Sequence, residues 1–325
     1  MNKRVLITGI TGQDGAYLAK FLLNKGYKIF GLYRRSVNRI FDNLEYLGIE
    51  GEVELIEGDL TDEASLINAV KRIYPNEVYN LAAQSFVGTS WDQPIITSEI
   101  NAMGTLKLLN AVKIFCPTAK FYQASTSEMF GNANSSGIQD EETPFHPRSP
   151  YAISKLFAYW AAINYRESYS MFCANGILFN HESPIRGKEF VSRKITDGVA
   201  RIKLGLADEI RLGNLDSKRD WGFAGDYVEA MWLMLQQDNP DDFIISTGKT
   251  HSIEDFLNLA FKHVGIDNWS SYVKIDPRFQ RPAELFVLRG ENSKAKKVLG
   301  WEPKVSFEEL VKMMVEADLK RLNKF

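Results

Sequence analysis

A chain of 325 residues with 45% hydrophobic and 25% charged residues has ordinary globular proportions and length enough for two cores. Its 39 Lys and Arg against 41 Asp and Glu leave a net charge of -2, so neither a nucleic acid nor an anionic membrane surface is an expected partner. Only two cysteines, Cys116 and Cys173, occur, each in an apolar stretch; this argues against a disulfide framework and for buried thiols in a reducing, cytoplasmic setting.

Residues 1–4 run straight into an apolar stretch at 5–7, which leaves no room for a signal peptide, and no apolar run reaches membrane-spanning length. That stretch and those at 28–33, 53–57, 77–81 and 120–124 have the length and composition of short buried strands. Between them three sets recur at helical spacing: Leu18, Ala19, Leu22, Leu23; Leu66, Ile67, Val70, Ile73; and Ile100, Met103, Leu106, Leu109. The second set follows the capping-type pair Thr61-Asp62. Such alternation predicts a parallel sheet covered on both faces. After about Tyr165 the pattern loosens. Residues 171–177 and 243–246 read as further strands, while 180–192, 213–226 and 276–293 are rich in Gly, Pro, Arg and Asn. Helical spacing returns at Ile253, Phe256, Leu257, Ala260 and Phe261, and again from Phe307. The expected fold is α/β: a Rossmann-type doubly wound parallel sheet with a smaller C-terminal α/β substrate lobe. Residues 1–178 form the first unit, with 221–248 returning to it; 179–220 and 249–325 form the lobe.

The segment Gly9-Ile10-Thr11-Gly12-Gln13-Asp14-Gly15 follows the first strand and opens a helix. Glycines there permit a tight turn and close backbone approach, so a dinucleotide pyrophosphate can sit on the helix N-terminus. Gly9, Thr11, Gly12, Gln13, Asp14 and Gly15 are the candidate contacts. At the end of the second strand an NAD enzyme usually carries an acid; here Arg34, Arg35 and Ser36 offer two guanidiniums and a hydroxyl. A solvated basic turn is the plain reading, but in this position the trio suits a 2′-phosphate and favours NADP. Asp59 and Leu60, after the third strand, are placed to reach the adenine.

Tyr151 and Lys155 stand one helical turn apart on the same face. An ammonium near a phenol lowers the phenol's pKa from about 10 toward neutrality, so it can exchange a hydroxyl proton while hydride moves at nicotinamide. Ser125-Thr126-Ser127-Glu128 follows the strand at 120–124, at the carboxyl ends of the strands where such sheets bind ligands. Glu128 reads either as a carboxylate stabilised by a helix N-terminus or as a base.

Further motifs are Asn80-Leu81-Ala82-Ala83-Gln84-Ser85, Asn180-His181-Glu182-Ser183-Pro184, Arg193-Lys194-Ile195, Leu212-Gly213-Asn214-Leu215-Asp216, Lys218-Arg219-Asp220-Trp221 and Arg281-Pro282-Ala283-Glu284. With the turn, the Ser-Thr-Ser-Glu run and the Tyr–Lys pair, they make the chain resemble the GDP-mannose 4,6-dehydratases, in the extended short-chain dehydrogenase/reductase family. The match runs from residue 3 to about residue 320.

The resemblance implies a lyase that dehydrates GDP-mannose to a 4-keto-6-deoxy sugar by internal hydride transfer through NADP. It implies that Tyr151 with Lys155 oxidises the carbon 4 hydroxyl, that Thr126, beside Ser127, bonds that oxygen, and that Glu128 takes the carbon 5 proton. It adds cofactor contacts at Leu81, Ala82, Ala83, Gln84, Ser85, Lys155, His181 and Arg186. Sugar-nucleotide contacts are implied at Ser85, Asn180, Val191, Lys194, Gly213, Arg219, Arg281 and Glu284. Arg219 has a competing reading as a surface ion pair with Asp216 or Asp220. Helices near 97–115 and 150–167 pair across a two-fold axis in the family, implying a homodimer or homotetramer. The chain departs from the family pattern at Phe86, Ile96, Ile185 and Glu291-Asn292, and 36–52 is short; these changes bear on sugar choice and tetramer formation. Alternatives are a GDP-manno-heptose dehydratase, a GDP-4-keto-6-deoxy-sugar reductase or epimerase of the same fold, and an NADP-sensing scaffold. A reductase or epimerase has no need of Glu128 as base, and a sensor no need of all four of Thr126, Glu128, Tyr151 and Lys155.

Overall fold

The five N-terminal apolar runs become β1 (Arg4–Thr8), β2 (Lys28–Tyr33), β3 (Glu54–Glu57), β4 (Glu77–Asn80) and β5 (Lys120–Thr126) in the computed structural model. It describes residues 3–38, 41–132, 137–279, 283 and 287–323. Between the strands lie α1 (Gln13–Asn24), α2 (Asp42–Tyr46), α3 (Glu63–Ile73), α4 (Val87–Asp92), α5 (Pro94–Ser98) and α6 (Gly104–Phe115). The Asp62 side chain caps α3 by accepting from the Ala64 N–H at 3.1 Å. Two local readings change. Ser125 and Thr126 belong to β5, and the helix expected through Ile100 and Leu109 is interrupted by a π-helical turn at Glu99–Met103.

After β6 (Ile138–Gln139) comes the long α7 (Pro150–Tyr169), started by a Ser149 cap and Pro150 in its first turn. Next are β7 (Cys173–Leu178), β8 (Asn180–Glu182), α8 (Val191–Lys203), β9 (Ile210–Leu212), β10 (Lys218–Arg219) and β11 (Trp221–Phe223). The remainder is α9 (Ala224–Gln236), β12 (Phe243–Ile245), β13 (His251–Ser252), α10 (Ile253–His263), β14 (Val273–Ile275), β15 (Val287–Gly290) and α11 (Phe307–Leu322). Among the described residues no helix is long and apolar enough to cross a membrane.

The main sheet has the order β12-β7-β5-β4-β1-β2-β3 and is parallel throughout. Chain direction across the sheet reverses between β1 and β4, and the crevice at their carboxyl ends is where doubly wound sheets take ligands. Smaller sheets, β13-β10-β15-β6, β11-β8 and β14-β9, gather beyond that crevice. A separate apolar cluster including Val199, Ile210, Trp221, Phe256, Phe307 and Met314 holds α8, α10 and α11 together. The chain crosses back once more near its end: Trp301 packs with the α1–α9 side of the main sheet and donates to the Asp226 carbonyl at 2.8 Å.

Asp242 at the head of β12 binds that edge strand to its neighbours. It accepts from Arg166 (3.0 and 2.8 Å) and from the Asn175 N–H and Nδ2 (3.0 and 2.8 Å). Asp242→Ala leaves these donors desolvated and unmet, and should lower urea-unfolding stability by about 3 kcal/mol. The adjacent, half-exposed Asp241 pairs with Lys294 at the surface, and Asp241→Ala should cost less than about 1 kcal/mol.

Candidate active site

Two of the three turn glycines are sterically required. Gly9 has φ +69°, and a Cβ on it would lie 2.8 Å from the Ala82 nitrogen; one on Gly15 would lie 2.3 Å from the Gly9 carbonyl oxygen. Gly12 is the N-cap of α1 and no side chain caps that helix. The N-terminal N–H groups of α1 are therefore left to an anion at the crevice, and the absence of a Cβ at Gly12 keeps the approach open. The loop after β4 forms the facing wall: the Leu81 and Ala82 N–H groups both donate to Thr8 Oγ1 at 3.0 Å.

Gln13 and Asp14 turn toward the second lobe. Gln13 Nε2 donates to the His181 carbonyl at 3.0 Å, Ser183 Oγ donates to Gln13 Oε1 at 2.7 Å, and Asp14 Oδ2 lies 2.9 Å from His181 Nε2. The other ring nitrogen of His181 is 2.7 Å from the Phe179 carbonyl oxygen. A carboxylate and a carbonyl can only accept, so both ring nitrogens carry protons and the side chain is an imidazolium. Burial works against both charges, yet His181 holds Asp14 down at about 2, and Asp14 raises His181. The Tyr227 ring stacks on His181 at 4.6 Å.

Arg34, Arg35 and Ser36 lie exposed just past β2. The Asp59 carboxylate accepts from the Thr61 N–H and Oγ1, each at 2.8 Å, and Leu60 packs where a Cβ on Gly104 would come within 2.7 Å of its own Cβ. Gln84 is gripped from a place the sequence did not single out. Its N–H donates to Asn101 Oδ1 (2.9 Å), while Asn101 Nδ2 donates to the Gln84 carbonyl (3.0 Å) and to Ser154 Oγ (3.1 Å). The π-helical turn brings Asn101 inward, and the only sequence signal is a polar residue between Ile100 and Ala102. Ala83 is half-buried and Ser85 exposed at the mouth.

Thr126 ends β5, and its Oγ1 accepts from the Glu128 N–H at 3.3 Å across the single 3₁₀ turn Ser127–Phe130. Glu128 thus occupies a first-turn position, as the plain reading has it, and its negative charge raises the Tyr151 phenol, to which Thr126 is hydrogen-bonded. Tyr151 and Lys155 are both buried on the inner face of α7. The charge balance differs from expectation. Burial pushes the phenol up to about 12, against the pull of its hydrogen bond with Thr126, and pushes Lys155 down to about 8. Desolvation dominates both groups, and Lys155 Nζ donates to the Ala124 carbonyl at 2.7 Å.

Across the crevice Arg186 lies with its Nε 3.0 Å from Glu182 Oε2 and its guanidinium 3.6 Å above the Phe190 ring. Asn180 opens β8 and Val191 opens α8. Lys194 Nζ sits 3.2 Å above the Phe279 ring, and a Cβ on Gly213 would meet the Phe279 carbonyl oxygen at 2.8 Å. Phe279 was not singled out by sequence. Arg219 is buried in β10, its Nη1 donating to the Lys218 carbonyl at 2.8 Å, rather than lying at the surface. Asp220 accepts instead from the Thr247 N–H and Oγ1 and the Gly248 N–H. Arg281 and Glu284 fall outside the described residues.

With a folded-state value of about 8 against 10.5, an ammonium at Lys155 subtracts stability fully below about pH 8 and progressively less as pH rises toward 10.5. Lys155→Met should therefore melt higher than the parent at about pH 7, and the gap should shrink by about pH 10 in thermal melts. A gap that does not change with pH contradicts this.

The sequence profile of the GDP-mannose 4,6 dehydratase family matches residues 6–314. The chain is 54% identical to GDP-mannose 4,6 dehydratase 2 of Arabidopsis thaliana over 327 residues, 98% of this chain and 87% of that one. It is 48% identical to the human GDP-mannose 4,6 dehydratase, covering 97% of this chain and 91% of the relative. Among solved structures, the UDP-glucose 4-epimerase of Thermus thermophilus in complex with NAD superposes with a TM-score of 0.85 at 26% identity, covering 97% and 98% of the two chains. Profile and near-full-length identity agree, and the chain belongs to the GDP-mannose 4,6-dehydratase family.

Proposed function

We propose that this chain is a hydro-lyase that converts GDP-mannose to GDP-4-keto-6-deoxymannose. The observation that carries this reading is the grouping at the carboxyl end of β5: Thr126 is hydrogen-bonded to Tyr151 and accepts from the Glu128 N–H, and the Glu128 charge acts on the same phenol. A proton-exchanging phenol alone serves any reductase; a second, carboxylate base beside it is what elimination of water requires.

Gly9, Gly12 and Gly15 with the uncapped start of α1 fit a dinucleotide pyrophosphate, and the NAD-bound epimerase of the same fold supports a nicotinamide cofactor. Arg34, Arg35 and Ser36 support NADP in particular. A bound nicotinamide dinucleotide would supply the hydride acceptor at carbon 4, the hydride donor at carbon 6 and, when oxidised, a positive charge. Thr126 and Tyr151 hold the carbon 4 oxygen; Tyr151 takes that proton as phenolate, the form that the positive charge would favour over the burial that keeps the phenol protonated. Glu128 removes the carbon 5 proton, acidified by the neighbouring ketone, and passes it to the departing carbon 6 hydroxyl, which leaves as water; carbon 5 regains a proton from solvent as hydride reaches carbon 6. Lys155 holds α7 against the Ala124 carbonyl and keeps Tyr151 in register. Asn180, Val191, Lys194, Gly213 and Arg219 are the sugar-nucleotide contacts in this reading, and residues 179–220 with 249–325 are the lobe that carries them.

The pure protein given GDP-mannose should yield the 4-keto product with no net change in NADPH absorbance; consumption of NADPH in step with product overturns the reading. Glu128→Gln should lower turnover by about 10² to 10⁴ and abolish deuterium uptake at carbon 5 in heavy water.

The same α7 supports a homodimer. Its outer face exposes Ile153, Phe157 and Trp160, and with Leu106, Leu156 and Tyr165 these line an apolar groove. Trp160→Glu should shift the mass seen by light scattering to that of one chain, while circular dichroism stays unchanged.

A further inference from the structure

The C-terminal helix reaches the catalytic crevice through one buried carboxylate. Asp318 on α11 is 1% exposed and takes Arg193 bidentately: Nε lies 2.9 Å from both carboxylate oxygens and Nη2 2.8 Å from Oδ1. Thr196 Oγ1 donates to Oδ2 at 2.7 Å, and Arg321 Nη1 also donates to the carboxylate. Each guanidinium spends a further N–H on the loop between β8 and α8. Arg193 Nη1 donates to the Arg186 carbonyl at 2.9 Å, and Arg321 Nη2 to the Pro184 carbonyl at 2.8 Å. Two carbonyls flanking Ile185 are thereby fixed by one anion 125 residues further along the chain than Arg193.

An ion cluster buried this deeply is a poor source of stability, because desolvating three charges offsets most of their attraction. What it does supply is direction: planar guanidiniums on a carboxylate accept little deviation in angle. The loop so directed carries Arg186, whose Nε lies 3.0 Å from Glu182 Oε2 and whose guanidinium lies over the Phe190 ring. Burial raises the Tyr151 phenol; the Thr126 hydrogen bond and the Arg186 charge pull it back down, while Glu128 and Asp14 raise it. From this geometry we infer that Asp318 is a positioning residue for catalysis: through Arg193 and Arg321 it aims Arg186 at the proton-exchanging phenol. The inference rests on the reading of Tyr151 given above; of the cluster, Asp318 and Arg321 lie beyond residue 314, where the family match ends.

The experiment compares the parent with Asp318→Asn, Arg186→Met and the double variant in the full-length chain. Loosening the loop removes a cation from the phenol, so the rising limb of the turnover–pH profile should move to higher pH in Asp318→Asn, by about half a unit or more. Arg186→Met should move it the same way, and Asp318→Asn should add nothing in that background. Asp318→Glu, which keeps the anion, should restore most of the parent profile. A lowered melting temperature with an unmoved limb, or shifts that add in the double variant, overturns the inference. Should Asp318→Asn fail to fold, Arg321→Met keeps the Arg193–Asp318 pair and removes only the Pro184 bond; a smaller shift in the same direction is expected, and none overturns the idea. Amide hydrogen exchange separates the two readings. Faster exchange over residues 184–193 in Asp318→Asn, in a protein that never turns over GDP-mannose, removes the proposed function and leaves the tether standing. Unchanged exchange there removes the tether whatever the activity.

Discussion

His181 sits between two acceptors, the Phe179 carbonyl and the Asp14 carboxylate, and must hold a proton on each ring nitrogen to satisfy both. That pair, with Gln13 and Ser183 beside it, is where the start of α1 is joined to β8. The glycine turn and β8 are thus joined by an ion pair in which, against burial, His181 holds the Asp14 carboxylate at about 2. Stacking of Tyr227 on the imidazolium ties α9 into the same joint.

Around that joint the candidate catalytic groups are shaped by loss of water more than by each other. The Tyr151 phenol and the Lys155 ammonium are one turn apart, yet burial moves the first up and the second down. An interior that penalises both charges makes the positions of the surviving charges decisive. The Arg186 charge, which lowers the phenol, counts for more in such an interior than it would in solvent, and its loop is held from α11.

Much of this was legible in the residues. Apolar runs such as 28–33 became strands with the same limits, because a strand covered on both faces needs no partner to declare it. Tyr151 and Lys155 could be placed on one face from spacing alone. What stayed hidden was set by distance along the chain or by solvent. Asp14 and His181 are 167 residues apart, and although each reads as a candidate cofactor contact, nothing in the sequence pairs them. The direction of the shift at Tyr151 depends on how deeply α7 is buried, which the Tyr–Lys spacing does not report. The π-helical turn at Glu99–Met103 leaves the apolar sequence pattern almost unbroken while turning Asn101 onto Gln84. Two-residue strands such as β10 and β13 carry too few residues for an alternation to show.

The tether on α11 also has a consequence for biosynthesis. Arg193 is translated 125 residues before the carboxylate that neutralises it. At ordinary rates of elongation the nascent lobe waits on the order of ten seconds with that guanidinium unmatched. During this interval α8 has its apolar face but lacks the anion around which its buried polar side settles. The glycine turn and the strands from β1 to β7 are made earlier; the loop that carries Arg186 has both of its carbonyl tethers only once α11 docks.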